Sequence, residues 1–346
     1  MNVAQIVDRL KQDADFKRNL TAWHTIAERP ARYAAYPAAL HPRLVAGFQK
    51  RGIEQLYTHQ AEAVDAALRG DNVCVVTPTA SGKTLCYNLP VLNRILADEK
   101  ARALYLFPTK ALSQDQMQEL KDTIDELEVK IGTYTFDGDT PASARKAVRS
   151  AGHIVVTNPD MLHTGILPHH TIWIRLFENL KYVVIDEIHH YRGVFGSHLA
   201  NVLRRLRRIC QFYGSDPQFI CCSATIANPQ ELAEHMVGKP FTLVDNNGAP
   251  AGEKHFLFYN PEVVNQELGI RRSAVKEAAR IALQFLDRRV QSIVFARSRL
   301  RVEILTTYLK EAVRKRGKSH HLVRGYRGGY LPTERRAIEQ GLRQGE

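Results

Sequence analysis

The stretch TPTASGKT, from Thr77 to Thr84, follows the apolar run NVCVV at 72–76 and decides the fold. A β-branched run that ends in a Gly-Lys-Thr turn predicts a strand, a phosphate-binding loop and a helix in succession. Thr77 stands where the pattern GxxxxGK[ST] usually has its first glycine, whereas Gly82, Lys83 and Thr84 fit it. Taken alone, this imperfect motif has an alternative interpretation as an ordinary glycine turn before a helix.

The loop is expected to bind the phosphates of ATP. Backbone N–H groups from Ala80 to Lys83 would form an anion-binding nest at the start of the helix. Lys83 would reach the β- and γ-phosphates, and the Thr84 hydroxyl would bind Mg²⁺. The loop residues expected to contact the nucleotide are Thr79, Ala80, Ser81, Gly82, Lys83 and Thr84.

A second motif, DEIH from Asp186 to His189, follows the apolar run KYVVI. Asp186 is expected to hold Mg²⁺, directly or through water. Glu187 is expected to orient and deprotonate the attacking water. Adjacent carboxylates after a strand are otherwise common at the start of a helix. Because the two motifs would meet at the ends of neighbouring strands, together they predict an ATP-hydrolysing site with Lys83, Asp186 and Glu187 as its catalytic residues.

Apolar, β-branched runs recur along the chain with helical stretches between them. Strands of this kind are buried on both faces, so the alternation predicts an α/β fold with a parallel sheet covered by helices. Ligands of such sheets bind beyond the carboxyl ends of the strands, where most polar motifs of this sequence lie. The predicted strands cover 72–76, 103–107, 153–156, 182–185, 218–222 and 241–244.

The length of 346 residues favours about two domains. We expect a helical N-terminal arm over 1–40 that packs on a first lobe over 41–245 through Trp23, Tyr33 and Tyr36, with base stacking by these rings as the alternative. The segment DNNGAPAGEK is typical of a turn or linker, and the predicted linker covers 246–264. A second α/β series begins with HFLFYN (255–260) and continues with a helix near 271–289, the strand-like SIVFARS (292–298) and a helix near 299–315; the partial second lobe is assigned to 265–346.

The composition is that of a globular protein with a polyanionic partner. The formal net charge is +12, which suits nucleic acid. No apolar run reaches the roughly 20 residues that a membrane span requires. The five cysteines form no CxxC pair, and three lie in apolar runs, so buried thiols in a reducing cytoplasm are favoured over disulfides or zinc.

With both motifs in place, the chain resembles a superfamily 2 helicase of the DExH type from about Tyr57 onward. LYTHQAEAV resembles the Q motif, PTKALSQDQ motif Ia, TNPDML motif Ib, CSAT motif III and IVFARSRLRVE motif IV. DEIHHYRGVFGSHLANVLRRL and VRGYRGGYLPTERRAIE are similar to the YprA/Hrq-type helicases, whose bacterial members act in DNA repair. The resemblance implies two RecA-like lobes and ATP-dependent 3′ to 5′ translocation on single-stranded DNA.

The resemblance also implies roles for individual residues. Gln60 would contact the adenine edge and Tyr57 would stack nearby. Ser223 and Thr225 would couple the ATP site to the nucleic acid, and His189 would link the DEIH segment to Thr225 or the second lobe. Without the family pattern, such Ser and Thr residues are more often helix caps. The residues implied to hold the strand, mainly through its phosphates, are Thr109, Lys110, Thr157, Asn158, Pro159, Asp160, Arg297 and Ser298.

The activity of the chain by itself, the alternatives to a DNA helicase and the role of one basic helix stay open at this stage. Motifs V and VI of the second lobe are not found, so we expect the chain to be part of a longer helicase that binds ATP and nucleic acid with little turnover by itself. An RNA helicase or a non-catalytic binding module is also compatible with the sequence.

The basic run LRRLRRIC (203–210) predicts a helix with Leu203, Leu206 and Cys210 on one face; its arginines indicate a solvated face or, less often, a DNA track.

Overall fold

The computed structural model describes residues 3–345, which form two compact units. One unit spans 28–252, and the other combines 3–27 with 253–345. The strands are β1 (Leu20–Ile26), β2 (Tyr33–Ala34), β3 (Leu56–Tyr57), β4 (Val73–Val76), β5 (Arg102–Leu106), β6 (Thr133–Thr135), β7 (Ile154–Thr157), β8 (Leu180–Ile185), β9 (Gln218–Ser223), β10 (Thr242–Val244), β11 (Lys254–Tyr259), β12 (Val263–Asn265) and β13 (Ile270–Arg271).

The helices alternate with these strands. They are α1 (Val3–Gln12), α2 (Ala14–Arg18), α3 (Pro42–Lys50), α4 (Thr58–Arg69), α5 (Thr84–Ala97), α6 (Lys110–Glu126), α7 (Ala142–Ala151), α8 (Pro159–Met161), α9 (Ile174–Asn179), α10 (Gly193–Phe212), α11 (Pro229–Val237), α12 (Ala274–Leu286), α13 (Arg299–Lys315) and α14 (Pro332–Gln344). Shorter helical turns cover Leu162–Ile166, Leu167–Ile172, Ile188–His190 and His320–Leu322.

A seven-stranded sheet organises the unit of residues 28–252. Its order is β10-β4-β9-β8-β5-β7-β6, and each neighbouring pair is parallel. Because all strands point the same way, the loops after β4, β8, β9, β5 and β7 emerge at one edge of the sheet. The predicted phosphate loop, DEIH segment and CSAT segment follow β4, β8 and β9. β9 lies between β4 and β8, so the phosphate loop and the DEIH segment follow strands that are one strand apart and not, as predicted, direct neighbours.

Successive strand residues alternate between two cores. Val73, Val75, Tyr105 and other members of one set pack in a cluster with residues of α3, α4, α5 and α6. Cys74, Leu104 and the alternate set pack in a second cluster with residues of α9, α10 and α11. Both faces of the sheet are therefore buried, which explains why its strands are continuous apolar runs.

The predicted parallel sheet is confirmed, and the six predicted strands coincide with β4, β5, β7, β8, β9 and β10 to within two residues. The seventh strand, β6, is missed by the sequence pattern because it contains only three residues, TYT, and lies at the edge of the sheet. The five cysteines are buried free thiols. None of the helices described over 3–345 is long and apolar enough to cross a membrane.

The second unit is built differently from the predicted domain boundaries. β1 pairs antiparallel with β11, so Trp23 lies opposite Leu257 and residues 3–27 belong with the later part of the chain. Trp23 therefore belongs to the unit of residues 3–27 and 253–345, because the strand that carries it pairs with a strand more than 230 residues away; its packing on the first lobe stays a prediction. Tyr33, in contrast, does lie in the unit of the large sheet, where β2 pairs with β3.

Two further segments differ from their predictions. The predicted linker over 246–264 contains the strand β11, which coincides with HFLFYN to within one residue, so the strand series begins before the predicted end of the linker. SIVFARS is not a strand, and Phe295 in it is 90% exposed. An apolar segment needs neighbouring strands to satisfy its backbone groups, and none of the described strands pairs with this one. The two helices predicted beside it form as α12 and α13, which share a small core.

Candidate ATP site

The phosphate loop is held in a strained, compact shape between β4 and α5. Thr77 is buried, and its hydroxyl lies 2.6 Å from the Ser81 hydroxyl, which ties the two ends of the loop together. Ala80 and Gly82 have positive φ values of 62° and 77°. Lys83 Nζ donates to the carbonyls of Thr77 and Pro78 at 2.8 and 3.1 Å. The hydroxyl at the position of the missing first glycine therefore has a structural use.

Gln60 joins the loop to the start of α4. Its Nε2 donates to Gly82 O at 2.9 Å, and its Oε1 accepts from Tyr57 N at 2.9 Å. The φ of 77° favours glycine at position 82, and a Cβ there would lie only 2.6 Å from Gln60 Nε2, so a larger residue would displace the Gln60 amide. The Tyr57 ring already stacks on Tyr33 at a centroid distance of 5.5 Å. Both residues predicted to contact the adenine are thus beside the loop and ordered by protein contacts.

A chain of polar contacts connects the loop to the DEIH segment. Thr84 Oγ1 donates to Gln116 Oε1 at 3.0 Å, and the Tyr87 hydroxyl lies 3.1 Å from the same oxygen. The Tyr87 hydroxyl also lies 3.4 Å from Asp186 Oδ2. Gln116 and Tyr87 were not predicted. Tyr87 lies in α5 outside the recognised motifs, whereas Gln116 is the last residue of the segment that resembles motif Ia. Their role as a link between the two motifs is identified by the side-chain contacts.

Asp186 is buried at the end of β8 and is difficult to ionise. Burial raises its pKa from 3.8 to about 6, although the Glu187 N–H, Lys83 and the Tyr87 hydroxyl oppose the shift. Asp186 Oδ1 accepts from Glu187 N at 2.8 Å. A buried carboxylate with a raised pKa favours the arrival of a cation, which would relieve the cost of desolvating the charge.

Glu187 is placed as an unsatisfied base. Its φ of 51° is unusual for a side chain with a Cβ, and such strain is concentrated at functional sites. Its Oε2 is buried and makes no hydrogen bond within the described chain. His189 Nδ1 lies 3.1 Å from this oxygen, although not in hydrogen-bonding geometry. Burial lowers the pKa of His189, which favours the neutral ring near pH 7.

His189 also connects the DEIH segment to the end of β9. Its Nδ1 lies 3.5 Å from Ser223 Oγ and 3.4 Å from Ala224 N. The predicted link from His189 to Thr225 is therefore replaced by contacts one and two residues earlier. Thr225 is exposed and Ser223 is fully buried.

The residues predicted to hold nucleic acid lie mostly at the same sheet edge, after β5 and β7. Thr109 and Asn158 cap α6 and α8 through their side chains. Lys110 pairs with Asp139 at 2.6 Å, and Asp160 is exposed. Thr157 is buried, and its hydroxyl donates to Phe136 O at 2.6 Å.

The Thr157 hydroxyl is therefore occupied, and the contact predicted through it is incompatible with its burial. Pro159 is buried as well. In the second unit, Arg297 is exposed and Ser298 caps α13 by accepting from Arg301 N at 3.3 Å. Several of these hydroxyl and amide groups have the capping role that was the alternative interpretation, which leaves their backbone amides and charged neighbours as possible strand contacts.

The chain matches known proteins along most of its length. The sequence profile of the DEAD/DEAH box helicase family matches residues 57–232, half of the chain. The Bacillus subtilis protein named uncharacterized ATP-dependent helicase YprA is 60% identical over 97% of this chain and 45% of its own length. ATP-dependent helicase HRQ1 of Saccharomyces cerevisiae is 37% identical over 99% of this chain and 32% of its own length.

Among solved structures, the DUF1998 helicase MrfA bound to DNA and AMPPNP is 57% identical, with a TM-score of 0.92. The aligned region covers 100% of this chain and 47% of the MrfA chain. The chain thus spans less than half the length of these relatives. The similarity extends over both units, well beyond the residues that match the family profile.

Proposed function

Because the chain belongs to the DEAD/DEAH box helicase family, we propose that it forms the ATP-binding core of a DNA helicase that couples ATP hydrolysis to 3′ to 5′ movement along a single strand in DNA repair. The observation that carries this proposal is the contact chain from Thr84 through Gln116 and Tyr87 to Asp186. It brings the two halves of a phosphate-and-metal site together at the ends of β4 and β8. A cytoplasmic setting is part of the same proposal.

The residues fit a magnesium nucleotide. Thr84 supplies a hydroxyl oxygen and Asp186 a carboxylate oxygen, which are hard ligands of the kind that Mg²⁺ prefers. No cluster of three or more His, Cys, Asp or Glu side chains suited to a metal occurs within residues 3–345. This agrees with Mg²⁺, which is usually held by one or two protein groups together with substrate phosphates. The bound ion would offset charge on the phosphate oxygens.

The chain's own residues would then divide the work. Lys83 would exchange the carbonyls of Thr77 and Pro78 for phosphate oxygens, because a cation gains more from an anion than from a neutral carbonyl. Glu187 would accept the proton of the attacking water at its unpaired Oε2. His189, in contact with Glu187 and near Ser223, would carry the state of the site to the adjoining loop.

DNA is the proposed strand because MrfA, which is similar over the whole chain, is described as bound to DNA. The test measures the affinity of the 346-residue chain for labelled dT20 and rU20, with and without AMPPNP and Mg²⁺. We expect tighter binding of dT20 and a nucleotide effect of at least fivefold, within the usual range of coupling energies. The effect should be absent in Lys83→Ala. A strand affinity that ignores the nucleotide would refute the coupling, and a preference for rU20 would refute DNA.

A further inference from the structure

One face of α10 carries a basic surface that the proposed ATP site does not use. Four arginines lie within 204–208, interrupted only by Leu206. Leu203, Leu206 and Cys210 are buried against the sheet, as their spacing predicts. The arginines therefore point away from this core, and their partners decide whether they form an ordinary solvated face.

The arginines differ in what they contact. Arg207 Nη1 donates to the carbonyls of Val237 and Gly238 at 2.9 and 3.1 Å, and so stabilises the end of α11. Arg204 donates to Asn201 Oδ1 at 2.9 Å. Among the ion pairs of the described chain, none involves Arg204, Arg205 or Arg208. These three positive charges are not neutralised by carboxylates.

The same arginines line a groove, which we call the α10 groove. Its volume is about 870 Å³, and its walls are α10 and the segment around α8. Arg204, Arg205 and Arg208 form one side, with His163 and Asp160 opposite. Arg205 and Arg208 also line an adjoining cavity of about 440 Å³ that contains His170 and Phe212. The two cavities share these two arginines, and Asp160 is the single carboxylate among the residues that line them.

Helix geometry gives this surface a length and a direction. His198, Asn201, Arg205, Arg208 and Phe212 are spaced by three or four residues and form one stripe. The 14 residue steps from His198 to Phe212 rise about 21 Å along the helix axis. Phe195 at one end of α10 is 40% exposed, and Phe212 at the other is 77% exposed. A stripe of unpaired arginines with an exposed aromatic ring near each end suits a backbone of regularly spaced phosphates with bases that can stack.

We propose that the α10 groove is a second nucleic-acid contact, which holds the phosphate backbone of a strand through Arg205 and Arg208. The proposal rests on the proposed function, because the α8 wall begins at the predicted strand-binding residues Asn158 and Pro159. It adds a contact outside the strand-end loops. A strand held at that wall would continue along α10, which would lengthen the bound site.

The test uses fluorescence anisotropy of the 346-residue chain with labelled dT20 and with a labelled 20-base-pair duplex, at 0.05 to 0.2 M NaCl. The variant is Arg205→Ala/Arg208→Ala. Loss of two single-strand phosphate contacts lowers the slope of log K against log salt by about 1.4. The phosphate contacts contribute almost nothing to the affinity near 1 M salt. A change of about 1.4 in the slope over the tenfold range from 1 M to 0.1 M salt therefore corresponds to roughly 25-fold weaker binding of the variant at 0.1 M.

Two controls separate charge from folding. Lys121→Ala/Lys146→Ala removes the same charge from exposed positions of α6 and α7 and should leave both affinity and slope near wild type. Arg205→Lys/Arg208→Lys keeps the charge and should recover much of the affinity. The AMPPNP affinity and the thermal unfolding midpoint of the alanine variant should stay unchanged, since neither arginine takes part in the hydrogen bonds that hold the phosphate loop.

Each outcome decides the proposal. A loss confined to dT20 assigns the groove to the translocated strand, and a loss confined to the duplex assigns it to the duplex; both support the proposal. Equal affinities and slopes for the alanine variant and wild type overturn it while leaving the proposed helicase function intact. Failure of wild type to bind either oligonucleotide overturns both. Binding of polyglutamate in the groove with no change for either oligonucleotide also overturns it, in favour of an acidic protein segment.

Discussion

Replacement of Asp186 by Asn should make the nucleotide-free chain more stable at neutral pH while it abolishes the site. The pKa of Asp186 is raised to about 6, chiefly by burial. The rise from 3.8 to about 6 corresponds to a cost of about 3 kcal/mol for the ionised carboxylate in the folded state. Asn is nearly isosteric and neutral, but accepts a weaker hydrogen bond from Glu187 N, a loss of about 1 kcal/mol. The expected net gain in the free energy of unfolding is about 2 kcal/mol.

The pH dependence has a definite sign. The folded-state pKa exceeds the unfolded value near 4, so the folded state binds more protons between about pH 4 and pH 6. The stabilisation from a protonated Asp186 is fully present below pH 4 and is lost as pH rises through about 6. The advantage of the Asn variant should therefore be complete at pH 7.5 and small at pH 4.

Urea unfolding can isolate the unit that contains this site. The sequence has two tryptophans, and Trp173 is buried in the large-sheet unit whereas Trp23 belongs to the other. Trp173 fluorescence in a Trp23→Phe background, without metal or nucleotide, therefore reports the relevant transition. If Asp186→Asn is less stable than its parent at pH 7.5, or if its gain in the free energy of unfolding does not change with pH, ionisation of Asp186 does not destabilise the folded unit.

Two other predictions concern the surroundings of the loop. Gly248→Ala should destabilise the large-sheet unit by roughly 1–3 kcal/mol through overpacking, because a Cβ there would lie 2.7 Å from Arg32 O and 2.8 Å from Thr58 N. Gly252→Ala, where a Cβ meets nothing within 4 Å, is the matched control for thermal unfolding, and equal midpoints would contradict this packing. Gln60→Ala removes the bonds to Gly82 O and Tyr57 N and should weaken AMPPNP binding about tenfold with a smaller effect on stability, as measured by calorimetry. Unchanged affinity in that variant would show that Gln60 does not order the loop for nucleotide.

The large sheet could be predicted from sequence because its strands are buried on both faces. Runs such as VCVV and YVVI leave no alternating pattern, and each ends in a polar motif at the same edge. The pairing of β1 with β11 could not be predicted, since short antiparallel strands carry no signal for a partner more than 230 residues away. SIVFARS has the composition of a buried strand, yet composition does not supply the neighbouring strands that such a segment needs.

The candidate site shows the same division. Lys83, Thr84, Asp186 and Glu187 could be selected because their chemistry requires these residue types directly after strands. Gln116 ends the segment that resembles motif Ia, but Gln116 and Tyr87 both lie inside helices, where amide and hydroxyl side chains usually face water, so the sequence does not indicate that they join the phosphate loop to the DEIH segment. The burial of Thr157 was likewise hidden, because a hydroxyl at a strand end can point into the core or out of it.

The most direct test of the central claim is calorimetric titration of AMPPNP with Mg²⁺ into the wild-type chain, Lys83→Ala and Asp186→Asn at pH 7.5. Lys83, Thr84 and Asp186 acting on one magnesium nucleotide predict measurable binding to wild type, at least tenfold weaker binding to Lys83→Ala, and loss of the Mg²⁺ dependence in Asp186→Asn. Equal affinities in all three proteins would contradict a single site formed by the ends of β4 and β8.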